Sequence, residues 1–422
     1  MKKILLFSII LLSGCGSNTF TANDLELQEP IELTISDEAN PLKDIKKAAF
    51  KRKYILLNQE PEAYSTTAEL YAVGDIMMHY PQILHGYDKE VGQYSFDSYF
   101  TEVKDLFVDG EWVIGNLETP LAGEAVGYSG YPQFNAPEQL ADALKNAGFN
   151  ILTTANNHSL DRRENGVINT LKFLDERKIH STGTAASREE AQQLLTVSKN
   201  EINMGFLAYT YGTNGIPIPE GKEYLVNLID NDQMANDIQK LKTAGVDIVT
   251  VSVHFGSEYQ RNPNELQKNI VKHLIKSGAD IILGSHPHVV QPYEFLELQG
   301  YDGEMKKGIV IYSLGNFISN QGPDQGTALY TDVGVIFKVA IEKHFPENKT
   351  VITHIETIPT WVHKYYADNK KNYRILPIKK MITSKEDEYL PSNTYPLLET
   401  YFEEVSQHLH SINAIPIGGF SN

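Results

Sequence analysis

Short apolar runs that end in polar or ionisable residues recur along the middle of the chain, and segments with helical spacing lie between them. Runs at 70–73, 111–115, 150–154, 202–211, 246–253, 281–283 and 307–313 predict buried strands, because an unbroken apolar stretch of that length fits a strand covered on both faces. Residues 137–147 carry Leu140 and Leu144 four apart, and Gly148 suits the left-handed stop of a helix. In 166–177, Val167, Leu171 and Leu174 share one helical face, and 233–244 and 265–276 repeat the pattern. Strands and helices in alternation predict an α/β domain beginning near residue 66. Two further strands are expected at 332–341 and 351–358, and an amphipathic helix at 395–409. Residues 346–422 read as a C-terminal extension packed on the domain, with the pairs Lys370, Lys371 and Lys379, Lys380 on a solvated face.

The amino-terminal pattern differs. Lys2 and Lys3 precede an apolar run at 4–12, followed by Leu12, Ser13, Gly14 and Cys15. A basic flank, a short apolar core and small residues before a cut site make a secretory signal, too short to remain as a spanning helix. Leu12 to Cys15 resembles the bacterial lipobox, which implies lipidation of Cys15 and an exported lipoprotein on the outer face of the bacterial cytoplasmic membrane. Residues 16–65 lack a sustained period and read as a tether, with a short helix at 42–57. Cys15 is the only cysteine, so the domain has no internal disulfide and no thiolate metal ligand. A net charge of -17 gives no generic attraction for nucleic acid, and an anionic substrate would need a local positive centre.

Asp75, Glu118, Asn157, His254, His286, His288 and Asn316 each follow a predicted strand. Each alone is explained by a turn, a cap or a surface position. Strand ends on one edge of a sheet converge, so a single shared site accounts for all of them. His286 and His288 flank Pro287, and extended backbone would point both imidazoles the same way. Oxygen and imidazole donors without sulfur suit Mn, Zn or Fe. The candidates exceed one tetrahedral zinc and would serve two ions about 3.5–4 Å apart. His158 is placed to protonate a leaving oxygen, since imidazole titrates near neutrality. Glu258, four residues after His254, would orient a ligand imidazole or touch substrate.

As a set, Gly74-Asp75-Ile-Met-Met, Gly115-Asn-Leu-Glu118, Ala155-Asn-Asn-His158-Ser-Leu-Asp161, His254-Phe-Gly-Ser-Glu258, Gly284-Ser-His-Pro-His288 and Tyr312-Ser-Leu-Gly-Asn316 resemble the CapA family of poly-γ-glutamate capsule biosynthesis over about 66–345. That family is similar to the calcineurin-like metallophosphoesterases, which implies a four-layer αββα sandwich and a divalent metal site. The resemblance implies metal ligation by Asp75, Glu118, Asn157, His254, His286 and His288, and catalysis by His158 with Asn157. Asn116, Glu258 and Asn316 would contact substrate or support the ligands. Met77 stands where the phosphoesterase pattern has a histidine, with His79 nearby, and Asn116 where it has the bridging aspartate. These departures leave the number of ions, one or two, open. The implied role is synthesis, export or anchoring of an anionic envelope polymer. The implied chemistry is hydrolysis or transfer at a phosphoester or related bond. The alternatives are a non-catalytic accessory protein of a polymer synthase complex and an amidase-like polymer-releasing enzyme.

Overall fold

The computed structural model describes residues 62–412, apart from 368 and 369. Cys15 with its signal segment, the tether through 61 and the helix expected at 42–57 lie outside the described residues.

Two twisted sheets form the centre. The strands are β1 (Tyr64–Ile76), β2 (Trp112–Leu117), β3 (Ile151–Thr153), β4 (His180–Thr182), β5 (Leu195–Lys199), β6 (Ile202–Thr210), β7 (Ile248–His254), β8 (Ile281–Ser285), β9 (Val290–Gln299), β10 (Met305–Leu314), β11 (Asn316–Ile318), β12 (Val333–Phe345), β13 (Lys349–Ala367) and β14 (Lys370–Pro377). The first sheet has the order β14-β13-β12-β1-β2-β3-β4, with β11 beside the end of β1. The second has the order β9-β10-β8-β7-β6-β5.

The period of two along each strand decides the layers. In β1, Leu70 and Ala72 face the second sheet, while Tyr71 and Val73 face outward. The space between the sheets is filled by Trp112, Ile114, Phe206, Ile281, Leu283, Ile309, Ile311 and Phe337. The Trp112 indole also spans it, donating from Nε1 to the Val197 carbonyl at 3.1 Å. Outside the first sheet lie helix α1 (Gln139–Asn146), through Leu140 and Leu144, and Phe100, Phe107 and Phe149. Outside the second lie α2 (Asn231–Thr243) and α3 (Glu265–Ser277), through Ile238, Leu241, Ile270 and Leu274. The result is the four-layer αββα sandwich expected.

Parallel strands place their carboxyl ends on one edge. Asp75 pairs in register with Asn116 of β2 and Asn316 of β11. His254 pairs with Ser285 of β8 and Thr210 of β6. Both sheets therefore deliver polar side chains to the same rim.

Several elements differ from the sequence reading, among them the short strands β4, β5 and β11, which were not expected. Strand β9 was not expected, because Pro292 interrupts its pattern; it is an edge strand, where a missing N–H is tolerated. Strand β13 runs over nineteen residues and continues past 358 through the buried positions 359–363, where Pro359 and the mixed run Thr360-Trp-Val-His-Lys364 break the alternation of its first half. Residues after 345 supply β13 and β14 to the first sheet, followed by α4 (Ile378–Ser384) and α5 (Tyr395–Leu409). Lys370, Lys379 and Lys380 are exposed, whereas Lys371 is half-buried and donates to Asn320 Oδ1 at 2.9 Å.

Candidate metal centre

Asp75, Asn116, Glu118, Asn157, His158, His254, His286, His288 and Asn316 are all buried at the shared rim. Three sets of donor atoms each lie within 4.8 Å of one another: Asp75, Glu118 and His288; Glu118, His254 and His286; and Glu258, His286 and His288. Glu118 belongs to the first two, so its carboxylate lies between them.

Glu118 is fully buried, and neither of its carboxylate oxygens has a hydrogen-bond partner. Its Oε1 faces His254 Nε2 at 3.4 Å and His288 Nε2 at 3.9 Å. Burial, and then the charge of Asp75, push its pKa well above the usual carboxylate range. A buried, unpaired carboxylate is costly unless a cation neutralises it. His286 Nδ1 is likewise buried without a partner. Burial and the neighbouring imidazole of His288 lower the His286 pKa to about 4. Burial, with His286 and His288 beside it, holds His254 well below its ordinary value. These neutral rings have lone pairs for a metal. The orphaned atoms and the donor set fit a divalent ion.

The surrounding polar groups hold these donors in place. Asp75 Oδ1 accepts from Asn116 Nδ2 at 2.8 Å, and Asp75 Oδ2 lies 3.0 Å from His288 Nδ1. His288 Nδ1 also lies 3.1 Å from Asn316 Oδ1. His254 Nδ1 lies 2.9 Å from Ser285 Oγ, and its Nε2 lies 3.0 Å from Asn157 Oδ1. Asn116 Oδ1 accepts from Thr153 and Asn156. Asn116 thus supports Asp75.

The 286–288 loop is not extended. His286 has φ 99° and His288 φ 57°, both in the left-handed region that residues with a Cβ rarely adopt. The imidazoles converge through this bend, with ring centroids 5.9 Å apart, and not through strand alternation. Backbone held in such a region costs of order 1–3 kcal/mol and persists where its surroundings enforce it.

His158 sits beside the ion-binding donors. Its Nδ1 lies 2.7 Å from Asp161 Oδ2, which also accepts the backbone N–H of Phe134. Glu258 is exposed, at the mouth of the site. Met77 is buried, and His79 stands outside the three donor sets, its Nδ1 accepting from the Asn320 backbone at 3.3 Å. Sequence reasoning missed Asn156, Ser285, Tyr211 and Arg162. Asn156 and Ser285 adjoin named residues at strand ends, which was the available signal. Tyr211, 4.7 Å from the His286 ring, and Arg162 had none. A cleft of about 640 Å³ opens beside the site, with Asn157, His158 and Glu258 along one side.

Residues 69–321 match the family model described as bacterial capsule synthesis protein PGA_cap. The capsule biosynthesis protein CapA of Bacillus anthracis is 30% identical over 259 residues, covering 59% of this chain and 59% of that protein. The PGA biosynthesis protein CapA of Bacillus subtilis (strain 168) is 29% identical over 267 residues, covering 59% of this chain and 63% of that protein. The chain thus spans about three fifths of the length of the curated relatives it matches. Similar solved structures include the NAD nucleotidase of Haemophilus influenzae, with TM-score 0.43 and 13% identity over 82% of this chain and 68% of that one. The calcineurin-like phosphoesterase YfkN of Bacillus subtilis gives 0.39 and 14% over 81% and 99%.

Proposed function

The chain belongs to the PGA_cap family of bacterial capsule synthesis proteins, and from that premise we propose that it is an exported, lipid-anchored hydrolase or transferase acting at a phosphoester or related bond on an anionic envelope polymer or its precursor. The observation that carries the reading is the Glu118 carboxylate, fully buried, unpartnered and facing imidazoles from two strand ends. A divalent ion held there by Asp75, Glu118, His254, His286 and His288, with Asn157, would polarise a phosphoryl oxygen and lower the pKa of bound water. The chain's own groups do the rest. Asp161 holds the His158 ring at 2.7 Å, in position to donate a proton to a leaving oxygen. Asn157 bridges the two functions, since its Oδ1 contacts His254 and it lines the cleft beside His158.

One observation favours a second reading, a binding protein of the polymer assembly with a single ion. Asn116 donates to Asp75 Oδ1, which occupies a lone pair that a second ion would use. Metal analysis and an aryl phosphoester assay separate the two. The purified protein is expected to bind Mn, Zn or Fe and to turn over the ester. His286→Ala with His288→Ala is expected to abolish binding while circular dichroism stays unchanged. Stoichiometric metal with no turnover selects the binding protein, and full metal content in the double variant removes this centre.

A further inference from the structure

Asn157 is the one amide among the proposed ligands, and an amide has two chemically different ends. It is buried, with Oδ1 3.0 Å from His254 Nε2. Glu118 Oε1 lies 3.4 Å from the same nitrogen. In the imidazole tautomer that ligates through Nε2, these three atoms all present lone pairs to one point, which suits a cation between them. Before an ion enters, the amide would relieve that crowding by turning over, so that its NH2 faced the imidazole and the carboxylate. An ion would then meet N–H groups and lose an oxygen ligand. The contact that opposes the turn lies on the other side of the amide, where Asn157 Nδ2 donates to Asn214 Oδ1 at 3.3 Å. Turned over, the Asn157 oxygen would face the Asn214 oxygen, and neither could donate.

The turn that carries Asn214 is tied to the strand ends that carry the ligands. Thr210 of β6 pairs in register with His254. The next residue, Tyr211, donates its backbone N–H to the His254 carbonyl at 3.1 Å, and its ring packs on His286 with centroids 4.7 Å apart. Residues 213–216 then form a tight turn, with the Ile216 N–H donating to the Thr213 carbonyl at 2.9 Å. Asn214 and Gly215 take φ 50° and 72°. Asparagine and glycine suit those two positions by propensity alone, which explains the turn but not the contact with Asn157. We propose that Asn214 is a positioning residue of the metal centre, which keeps the Asn157 oxygen facing the ion by accepting from the Asn157 NH2. The inference rests on the proposed centre for the ion, and on the 210–216 segment for the orientation. Groups that hold a ligand without touching the ion typically matter about 10–100-fold in metal affinity.

The test is a calorimetric titration of Mn(II) into the full chain, first stripped with chelator, so that affinity is read without turnover. Asn214→Gly keeps the turn, because glycine takes positive φ freely, and removes the acceptor. It is expected to bind Mn(II) about tenfold more weakly than the parent, with an unaltered circular dichroism spectrum. Asn214→Asp has an acceptor at either end of its side chain and is expected to bind at least as tightly as the parent. In an Asn157→Ala background, where the amide to be held is gone, Asn214→Gly is expected to change the affinity by less than about twofold. Equal affinity of Asn214→Gly and the parent overturns the proposal. So does weakening in Asn214→Asp, or a tenfold loss that persists without the Asn157 amide. Absence of Mn(II) binding by the parent chain removes the metal centre itself and this role with it, which tells the two failures apart.

Discussion

His158 shows how a single side chain acquires a role from its neighbours. Asp161 holds Nδ1, and the Phe134 ring packs edge-on at 4.7 Å, so the imidazole has little freedom and its Nε2 is left for the cleft. His158→Ala is expected to lower aryl phosphoester turnover by about 10²–10⁴-fold with metal content unchanged. Equal turnover in that variant removes the general-acid role. His363, far along the sequence in β13, behaves differently. Arg374 Nε donates to its Nδ1 at 3.1 Å, which requires that nitrogen to be unprotonated. Burial, followed by the Arg374 charge, lowers its pKa to about 4. The unfolded chain, with an ordinary histidine near 6.5, binds more protons than the folded one between about pH 4 and 6.5. The stability His363 contributes is thus present above that window and falls as pH drops through it, by up to about 1.4 kcal/mol per pH unit. Denaturant titrations across pH 4–7 are expected to show a shallower acid dependence in His363→Gln, and identical slopes would refute the assignment.

At the level of elements, the site depends on how closely two strands approach. A Cβ on Gly74 would lie 1.9 Å from the Gly315 carbonyl oxygen, where the Asp75 N–H donates at 2.9 Å. Only glycine allows β1 and β11 to bring Asp75 and Asn316 alongside His288. Gly74→Ala is expected to cost about 1–3 kcal/mol through overpacking and to weaken metal binding as Asp75 shifts. Calorimetry and metal titration check both, and an unchanged melting temperature would show that the backbone yields freely. The glycine before Asp75 was visible in the sequence, but its reason was not, because Gly315 lies 241 positions away. The histidine loop gives the converse lesson. The pairing of His286 and His288 was legible, yet its geometry was misread, since local alternation says nothing about a loop pulled into positive φ by Asp75, whose Oδ2 lies 3.4 Å from the His286 N–H.

Across the whole molecule, the first sheet runs from the amino-terminal strand to the last, so β12, β13 and β14 complete the layer that carries Asp75 and Glu118. Helix α5 reaches the rim as well: His408 Nε2 lies 2.7 Å from the Arg261 carbonyl, and Arg261 packs over Tyr330 at 4.2 Å. This steadies the segment that follows Glu258. Among the described residues no helix is long and apolar enough to cross a membrane. The proposed attachment rests on the lipobox-like segment ending at Cys15, and Cys15→Ala is expected to move the protein from the membrane fraction to the soluble one. Unchanged fractionation would assign the anchor elsewhere.

The alternation of the central strands and helices, the four-layer arrangement through its family resemblance, and the identity of most rim residues were present in the sequence, because hydrophobic period and strand-end chemistry are local and survive without partners. Which donors come within reach of one another, and that Asn116 supports Asp75 while Glu118 faces the imidazoles, were decided only in three dimensions. Those properties depend on distances between residues that no spacing along the chain encodes, and on burial, which turns an ordinary carboxylate into one that calls for a cation.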